Sequence, residues 1–286
     1  MTDPDRRSGA RPDRSSRGQG GRPPAQGSRG PAARGGRGGS RSRDGQQAGS
    51  RPATARRDEP ALPDEVTGSE LDRAVRAELS SLATLNGTAV SRHLVMAGRL
   101  LDEDPELAYR HAIAARDRAG RVAAVREAAG IAAYVTGRYA EALAELRAAR
   151  RMSGDQATLP MMADCERGLG RPEKALELAG SADVAKLDAA GRAEMLIVAS
   201  GARRDMGQPE AAVLLLQGPE LKPGRRRAWS ARLFYAYAEA LLAAGREDEA
   251  VTWFEHAAEA DESGETDADE RLAELGGVTI VEHDDD

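Results

Sequence analysis

Side chains that commonly carry acid–base, nucleophilic or metal chemistry are few in this sequence. The candidates are His93, His111, His256, His283 and a single cysteine, Cys165. None of these histidines has metal-ligand spacing, and no Gly-x-Ser-x-Gly, Cys-x-x-Cys, His-Glu-x-x-His or phosphate-loop motif occurs. We therefore interpret the first three histidines as helix-surface or core-edge residues. The sequence predicts no catalytic residue, no metal site and no cofactor, and hence a protein that is not an enzyme.

The residues near the other candidate side chains also argue against catalysis. Cys165 lies between Asp164 and Glu166, and nearby carboxylates raise the pKa of a thiol, so we expect an inert, buried thiol. Glu141 and Glu145 are four residues apart, opposite an apolar stripe, which predicts a solvated helix face rather than an acid–base pair. A single cysteine allows no internal disulfide, which favours a cytoplasmic location.

Composition divides the chain into a basic and an acidic part. Residues 1–57 contain 14 Arg and 4 Asp, a net charge of +10, and no Val, Ile, Leu, Phe, Tyr or Trp precedes Leu62. Such a segment buries too little surface to offset its lost conformational entropy, about 1–2 kcal/mol per residue, so we expect residues 1–61 to form a disordered arm. The rest carries 27 Lys and Arg against 43 Asp and Glu, or −16. The sequence holds no apolar run of about 18 residues, so no membrane span is expected.

From residue 62 onward, strong helix formers dominate and a short pattern repeats. The markers are Gly137, Gly170, Gly207 and Gly245, at spacings of 33, 37 and 38 residues, each followed five residues later by Ala. A related pattern without the glycine ends at Ala108. Apolar residues at helical spacing on both sides predict a helix, a tight turn at the glycine and a second antiparallel helix. Pro172 and Pro209 suit the starts of second helices. Such hairpins bury their apolar faces only by stacking.

The ends of the repeat region have their own signals. Ser69 has capping-box spacing to an acidic residue, which predicts a capping helix over residues 69–85 that ends at Gly87. Residues 265–286 are rich in Asp and Glu and predict an acidic tail. A short helix is expected within it, near residues 268–275.

The repeat resembles the tetratricopeptide repeat family, whose unit is 34 residues long. In the best unit, Gly130, Gly137, Tyr139, Ala142, Leu146 and Ala149 occupy positions where the family favours Gly, Gly, Tyr, Ala, an apolar residue and Ala. The resemblance places units near residues 89–122, 123–156, 156–189, 193–226 and 231–264. It implies an all-α solenoid of about five helical hairpins within residues 62–264. Residues 93–106 and 162–170 also resemble actinobacterial repeat proteins with an Arg/Gly-rich leader.

In this family the first helices of successive units line a concave groove that receives a peptide or helix. The matching positions here are Tyr134, Asp164, Arg167, Arg204, Asp205, Tyr235 and Glu239. Aromatic residues and Arg are typical of binding hot spots, although each position also suits an ordinary packing or surface residue. The family's clamp for a C-terminal carboxylate uses Lys and Asn, where this chain has Glu127, Ile131 and Asp164, so binding of that kind is not expected. The resemblance implies a scaffold or adaptor for an unidentified protein or peptide.

Two basic segments favour a different partner. The loop before Trp229 holds four cations, Lys222, Arg225, Arg226 and Arg227. These cations suit an acidic partner or RNA, or else form a solvated loop between units. Residues 1–57 would bind nucleic acid by neutralising phosphates, without an aromatic residue to stack on bases, or would lie on the acidic rest of the chain, or would have no role. The alternative function is therefore an RNA- or ribosome-associated factor.

Overall fold

A computed structural model describes residues 59–224 and 226–276, which belong to the second of the two units into which the chain divides, residues 54–286. These described residues form helices, with no strand among them, so the predicted all-α class is confirmed for this part of the chain. The helices are α1 (Arg73–Leu79), α2 (Thr84–Arg99), α3 (Pro105–Ala119), α4 (Ala123–Val135), α5 (Tyr139–Ser153), α6 (Leu159–Gly168), α7 (Pro172–Ala179), a short 3-10 helix (Ala182–Lys186), α8 (Ala189–Asp205), α9 (Pro209–Leu216), α10 (Ser230–Ala243), α11 (Glu247–Ala260) and α12 (Ala268–Leu275). The arm expected over residues 1–61 falls outside the described residues, except for its last three.

Ten of these helices pair in chain order into five hairpins. The pairs are α2 with α3, α4 with α5, α6 with α7, α8 with α9, and α10 with α11. Each hairpin also contacts the next, through α3 and α4, α5 and α6, α7 and α8, and α9 and α10. First helices touch across hairpins as well, as α6 does with α8 and α8 with α10. These hairpins overlap residues 89–122, 123–156, 156–189, 193–226 and 231–264, although α2 begins at Thr84 and α8 at Ala189.

The turn between the two helices of a hairpin has the same hydrogen bonds in four of these hairpins. At Gly137 the φ angle is 72°, a left-handed conformation that glycine adopts without a steric penalty. Gly137 N–H donates to the Tyr134 carbonyl at 2.9 Å, and Arg138 N–H donates to the Ala133 carbonyl at 2.8 Å. These two bonds define a Schellman motif, which satisfies the last carbonyls of the helix. The same pair of bonds and a positive φ recur at Gly170, Gly207 and Gly245.

The residues after each turn glycine fix the start of the second helix. Pro172 and Pro209 are the first residues of α7 and α9, where the missing N–H has no helical partner to lose. The alanines of the repeat, Ala108, Ala142, Ala175, Ala212 and Ala250, are all fully buried. A larger side chain at these positions would push the paired helices apart. The sequence pattern thus marks where two backbones approach closely.

The predicted capping helix over residues 69–85 is wrong. The chain instead forms α1 over only seven residues, turns at residues 80–83 and starts α2 at Thr84. Gly87, expected to end a helix, lies inside α2, where an added Cβ would lie 3.6 Å from the Leu82 Cβ. That is an ordinary van der Waals distance, so the packing of α2 against the preceding turn does not require glycine at this position. The neighbouring Asn86 side chain donates to the Arg118 carbonyl at 3.3 Å, a contact with α3 that no local pattern predicts.

The core is largely alanine and leucine, with large aromatic residues concentrated near its C-terminal end. Phe234 and Phe254 have no exposed surface, and Trp253 packs edge-on against Phe234 at a centroid distance of 5.5 Å. Leu272 of α12 packs against the same cluster; this helix corresponds to the one expected near residues 268–275. The second helices of the hairpins differ in length. Helices α3 and α5 have 15 residues and α11 has 14, whereas α7 and α9 have 8 each.

Candidate functional site

Two neighbouring concavities lie along α6, α8 and α10, the first helices of three successive hairpins. The larger, of about 660 Å³, lies between the α6–α7 turn and the end of α8. The smaller, of about 470 Å³, is lined by α6, α8, α10 and residues 265–267. Arg167 lines both of them. We therefore call the two concavities together the first-helix groove.

Arg167 connects α6 to α8 across this groove. Its Nη1 donates to Asp164 Oδ1 at 2.7 Å, and its Nε donates to Asp205 Oδ2 at 2.8 Å. The Tyr134 hydroxyl of α4 donates to the other Asp164 oxygen at 2.6 Å. Burial and the Asp164 carboxylate raise the pKa of Tyr134, which keeps the phenol protonated as a donor. Four of the predicted groove residues therefore form one hydrogen-bonded chain from α4 to α8.

This chain depends on a glycine that the repeat pattern does not mark. A Cβ on Gly201 would lie only 2.5 Å from Arg167 Cζ. The guanidinium therefore lies directly against the α8 backbone, in space that any side chain would occupy. Gly168 on α6 has a similar role, because its Cβ would lie 2.4 Å from Tyr139 Cδ2. These two glycines leave space for the Arg167 guanidinium against α8 and for the Tyr139 ring against α6.

The other three predicted residues lie in the smaller concavity. Arg204 Nη2 donates to Glu239 Oε2 at 2.6 Å, and the second oxygen of Glu239 accepts from Arg271 Nη2 at 3.1 Å. Burial and a hydrogen bond with Asp267 raise the pKa of Tyr235. The structure thus places all seven predicted residues along the first helices. Their role in binding a partner stays a prediction.

Several residues that complete the groove were missed from the sequence. Arg232 of α10 donates to Glu194 Oε1 of α8 at 2.6 Å and also pairs with Glu265. Ile197 and Ala236 add apolar surface to the smaller concavity. The one available signal was charge spacing, since Glu194 and Arg232 are 38 residues apart, as are Arg167 and Asp205. Residues 265–267 follow the last hairpin, so no repeat pattern points to them.

The basic loop is less suited to binding RNA than its composition suggested. Arg226 pairs with Glu262 at 3.4 Å, whereas Lys222 and Arg227 are exposed. Trp229 is half-buried and packs against the core cluster that contains Phe234, so much of its ring is unavailable for stacking on bases. The fourth cation, Arg225, lies outside the described residues.

The carboxylate pair Glu141 and Glu145 is not a solvated face, and that prediction is wrong. Glu145 is 7% exposed and accepts from Arg126 Nη1 at 2.6 Å. Arg116 Nη1 donates to Glu141 Oε1 at 2.8 Å and to Glu145 Oε1 at 3.3 Å. The Tyr109 hydroxyl also donates to Glu141, and its pKa is raised to about 12 by burial and this carboxylate. The pair belongs to an ionic network that ties α3, α4 and α5 together.

His93, His111 and Cys165 are buried, His256 is half-buried, and His283 lies outside the described residues. His93 and His111 are each 1% exposed, and their Nδ1 atoms lie 2.9 Å apart, a hydrogen bond that requires one ring to donate and the other to accept. Burial lowers the pKa of both rings, that of His111 to about 4. Burial and the carboxylates of Asp164 and Glu166 raise the pKa of Cys165 to about 12, so its thiol is a poor nucleophile, as the sequence predicted. Sequence spacing gave no sign that the two histidines meet.

Within the described part of the chain, no three His, Cys, Asp or Glu side chains are grouped as a metal site would require. No described helix is long and apolar enough to cross a membrane. No protein-family model matches the sequence, and no curated protein matches it either. The chemistry of the first-helix groove is therefore the basis for any assignment of function.

Proposed function

We propose that this chain is a cytoplasmic, non-enzymatic scaffold or adaptor of the tetratricopeptide type, and that its first-helix groove binds an extended or helical segment of a partner protein. The observation that carries the proposal is the hydrogen-bonded chain from Tyr134 through Asp164 and Arg167 to Asp205. It fixes donors and acceptors of three first helices before any partner arrives. Side chains that are already ordered lose little further entropy on binding, which favours affinity.

The groove leaves hydrogen-bonding capacity for a partner. An arginine has five N–H donors, and Arg167 directs three of them, on Nε, Nη1 and Nη2, to Asp164 and Asp205. Beside it, Ile197 and Ala236 line the smaller concavity with apolar surface. Donors next to an apolar floor suit the backbone carbonyls and apolar side chains of a peptide.

The tetratricopeptide assignment is supported by the hairpins themselves. Five consecutive hairpins, four with the same Schellman turn, repeat at spacings of 33, 37 and 38 residues between the turn glycines. A spacing near 34 residues is typical of that family, in which one hairpin cannot bury its own apolar face. Buried alanines five residues after each turn glycine fit the same unit.

The test is recovery of partners by the immobilised full-length chain from extract of the source organism. Gly201→Leu should sharply reduce the recovery of specific proteins, because the new side chain occupies the space of the Arg167 guanidinium. The matched control is Ala144→Leu, which adds a leucine at an exposed position of α5. Circular dichroism should show equal helicity for both variants. If Gly201→Leu and Ala144→Leu recover the same proteins as wild type, the groove is not the binding site.

The alternative, an RNA- or ribosome-associated factor, is favoured by the net charge of +10 in residues 1–57. Binding through phosphate neutralisation falls steeply with salt, because counterions are released. In the same experiment, recovery that disappears after nuclease treatment or at about 0.5 M salt, and that Gly201→Leu leaves unchanged, would favour this alternative. Recovery of proteins that survives both treatments supports binding through the first-helix groove.

A further inference from the structure

Another cavity lies beside the α6–α7 and α8–α9 hairpins, on another face of α8. It has a volume of about 400 Å³ and is lined by residues of α7, the 3-10 helix, α8, α9 and α10. Most of the lining is apolar, including Leu176, Met195, Leu196, Leu216 and Leu233. Helical periodicity separates the α8 residues of this cavity from those of the first-helix groove, so the two sites are distinct.

The short second helices explain why this space is open. Helix α7 ends at Ala179, before Gly180, and α9 ends at Leu216, before Gly218 and Pro219. Proline cannot continue a helix, and glycine weakens one. Neither second helix therefore extends far enough to cover the apolar face of α8 beside it.

Two arginines of α8 border the cavity and differ from those of the first-helix groove. Arg192 and Arg203 both line it, and 11 residues of helix separate them by about 16 Å. Among the described residues, neither forms a salt bridge with a carboxylate; Arg192 donates to the Leu187 carbonyl and Arg203 to the Gln208 side chain.

The guanidinium of Arg203 is half-buried beside this apolar lining, whereas Arg192 is exposed. A guanidinium prefers an anionic oxygen, above all a carboxylate or phosphate. Glu220 also lies on the lining but is exposed. The lining residues therefore carry a net charge of +1 around an apolar interior.

We propose that this cavity binds a single-chain amphiphile with an anionic head, of the fatty-acid class. The alkyl chain lies among the leucines of α7, α8 and α9, and the carboxylate accepts from Arg203. The volume of about 400 Å³ lies near the lower end of the range for small-molecule sites, which suits one chain rather than two. This site is independent of the first-helix groove.

The test is calorimetric titration of the full-length chain with dodecanoate below its micelle concentration. One saturable site is expected, and dodecanol, with the same chain and no charge, should bind about tenfold more weakly. Arg203→Met should weaken dodecanoate binding about tenfold and leave dodecanol binding unchanged. The matched control is Arg192→Met on the same helix, for which a smaller loss is expected because Arg192 is exposed and water weakens its attraction for an anion. Ala179→Phe should block both ligands by filling the cavity.

A photoreactive dodecanoate gives an independent measurement should Ala179→Phe fail to fold. Its crosslinks should map to α7, α8 or α9 of the wild-type chain. The proposal is overturned if no saturable binding occurs, if dodecanol and dodecanoate bind equally, or if Arg203→Met binds dodecanoate as wild type does. Crosslinks confined to other helices would overturn it as well. Normal recovery of protein partners by Arg203→Met would show that the first-helix groove functions whether or not this site exists.

Discussion

The α10–α11 hairpin and the α8–α9 hairpin have the same type of turn between their helices but differ in how their interiors are packed. Both turns are Schellman motifs, at Gly245 and Gly207. Helix α11 has 14 residues and seals a core in which Phe234 and Phe254 have no exposed surface. Helix α9 has only 8 residues and leaves the 400 Å³ cavity beside it. One repeat pattern therefore specifies where a hairpin bends, whereas the length of its second helix decides whether its interior is closed.

The largest loss of stability should come from truncating a side chain in the closed interior of the α10–α11 hairpin. Phe254→Ala should lower the free energy of unfolding by about 3–5 kcal/mol, because a fully buried aromatic side chain leaves a cavity. Leu215→Ala, at the partly exposed lining of the open cavity, should cost only about 1 kcal/mol. Urea denaturation followed by circular dichroism measures both losses. Equal losses would mean that the two interiors do not differ as described.

The α2–α3 hairpin extends the comparison with an interior that is polar. The pKa values of His93 and His111 are lowered in the folded state by burial, so the unfolded chain takes up protons first as the pH falls below about 6.5. Their contribution to stability is therefore present above that pH and is lost progressively toward pH 4, by about 1–3 kcal/mol. His93 also faces Glu59, Arg92 and Arg118.

Substitution of one ring tests this pH dependence. In His111→Gln, the free energy of unfolding should change less between pH 7 and pH 4 than in wild type, because one titrating group is removed. Denaturation curves at several pH values measure the slope. A slope equal to that of wild type would contradict the assignment to the histidine pair.

The shared turn predicts a smaller effect that is the same in both hairpins. Gly207 and Gly245 have φ angles of 69° and 73°, where a Cβ costs about 1–2 kcal/mol. Gly207→Ala and Gly245→Ala should therefore be destabilised by similar amounts. The control is Gly218→Ala, outside the left-handed region and with open space at its Cβ position, which should be close to neutral. A clear difference between the two turn variants would show that the turns are not equivalent.

The smallest effect concerns two glycines that lie inside two different first helices, α2 and α8. Gly98 of α2 has open space at its Cβ position, so Gly98→Ala should gain helix stability of about 0.5–1 kcal/mol. Gly201→Ala gains the same propensity but must displace the Arg167 guanidinium, so its net change should be smaller or reversed. Thermal denaturation of the two variants measures the difference. An equal gain in both would mean that Arg167 does not depend on Gly201.

The parts of this fold that could be predicted from sequence are those set by local chemistry. The turn at Gly137 and the helix start at Pro172 follow from backbone preferences of single residues. Helical periodicity then predicts the paired helices, because apolar residues recur every three to four positions on both sides of each turn glycine. Local signals failed over the predicted capping helix, because Gly87 lies inside α2 and does not end a helix. The same residue type ends a helix at Gly137 and lies within one at Gly87.

The candidate site was predicted less completely, because its residues meet across long separations. The family resemblance located Arg167 and Asp205, but not Gly201, whose importance lies in the absence of a side chain. Opposite charges at repeat spacing, as in Glu194 and Arg232, carry some of the missing information. The burial of Glu145 and the contact between the two histidines depend on how neighbouring helices are oriented, which a helical period alone does not specify.

The central claim is that the first-helix groove binds a protein segment. The most direct measurement is photocrosslinking from benzoylphenylalanine placed at Ala236, on the groove lining, compared with Glu255, at an exposed position of α11. The full-length chain in extract should form nuclease-resistant crosslinks to specific proteins from position 236 and few from position 255. Equal crosslinking from the two positions, or none from position 236, would contradict the account.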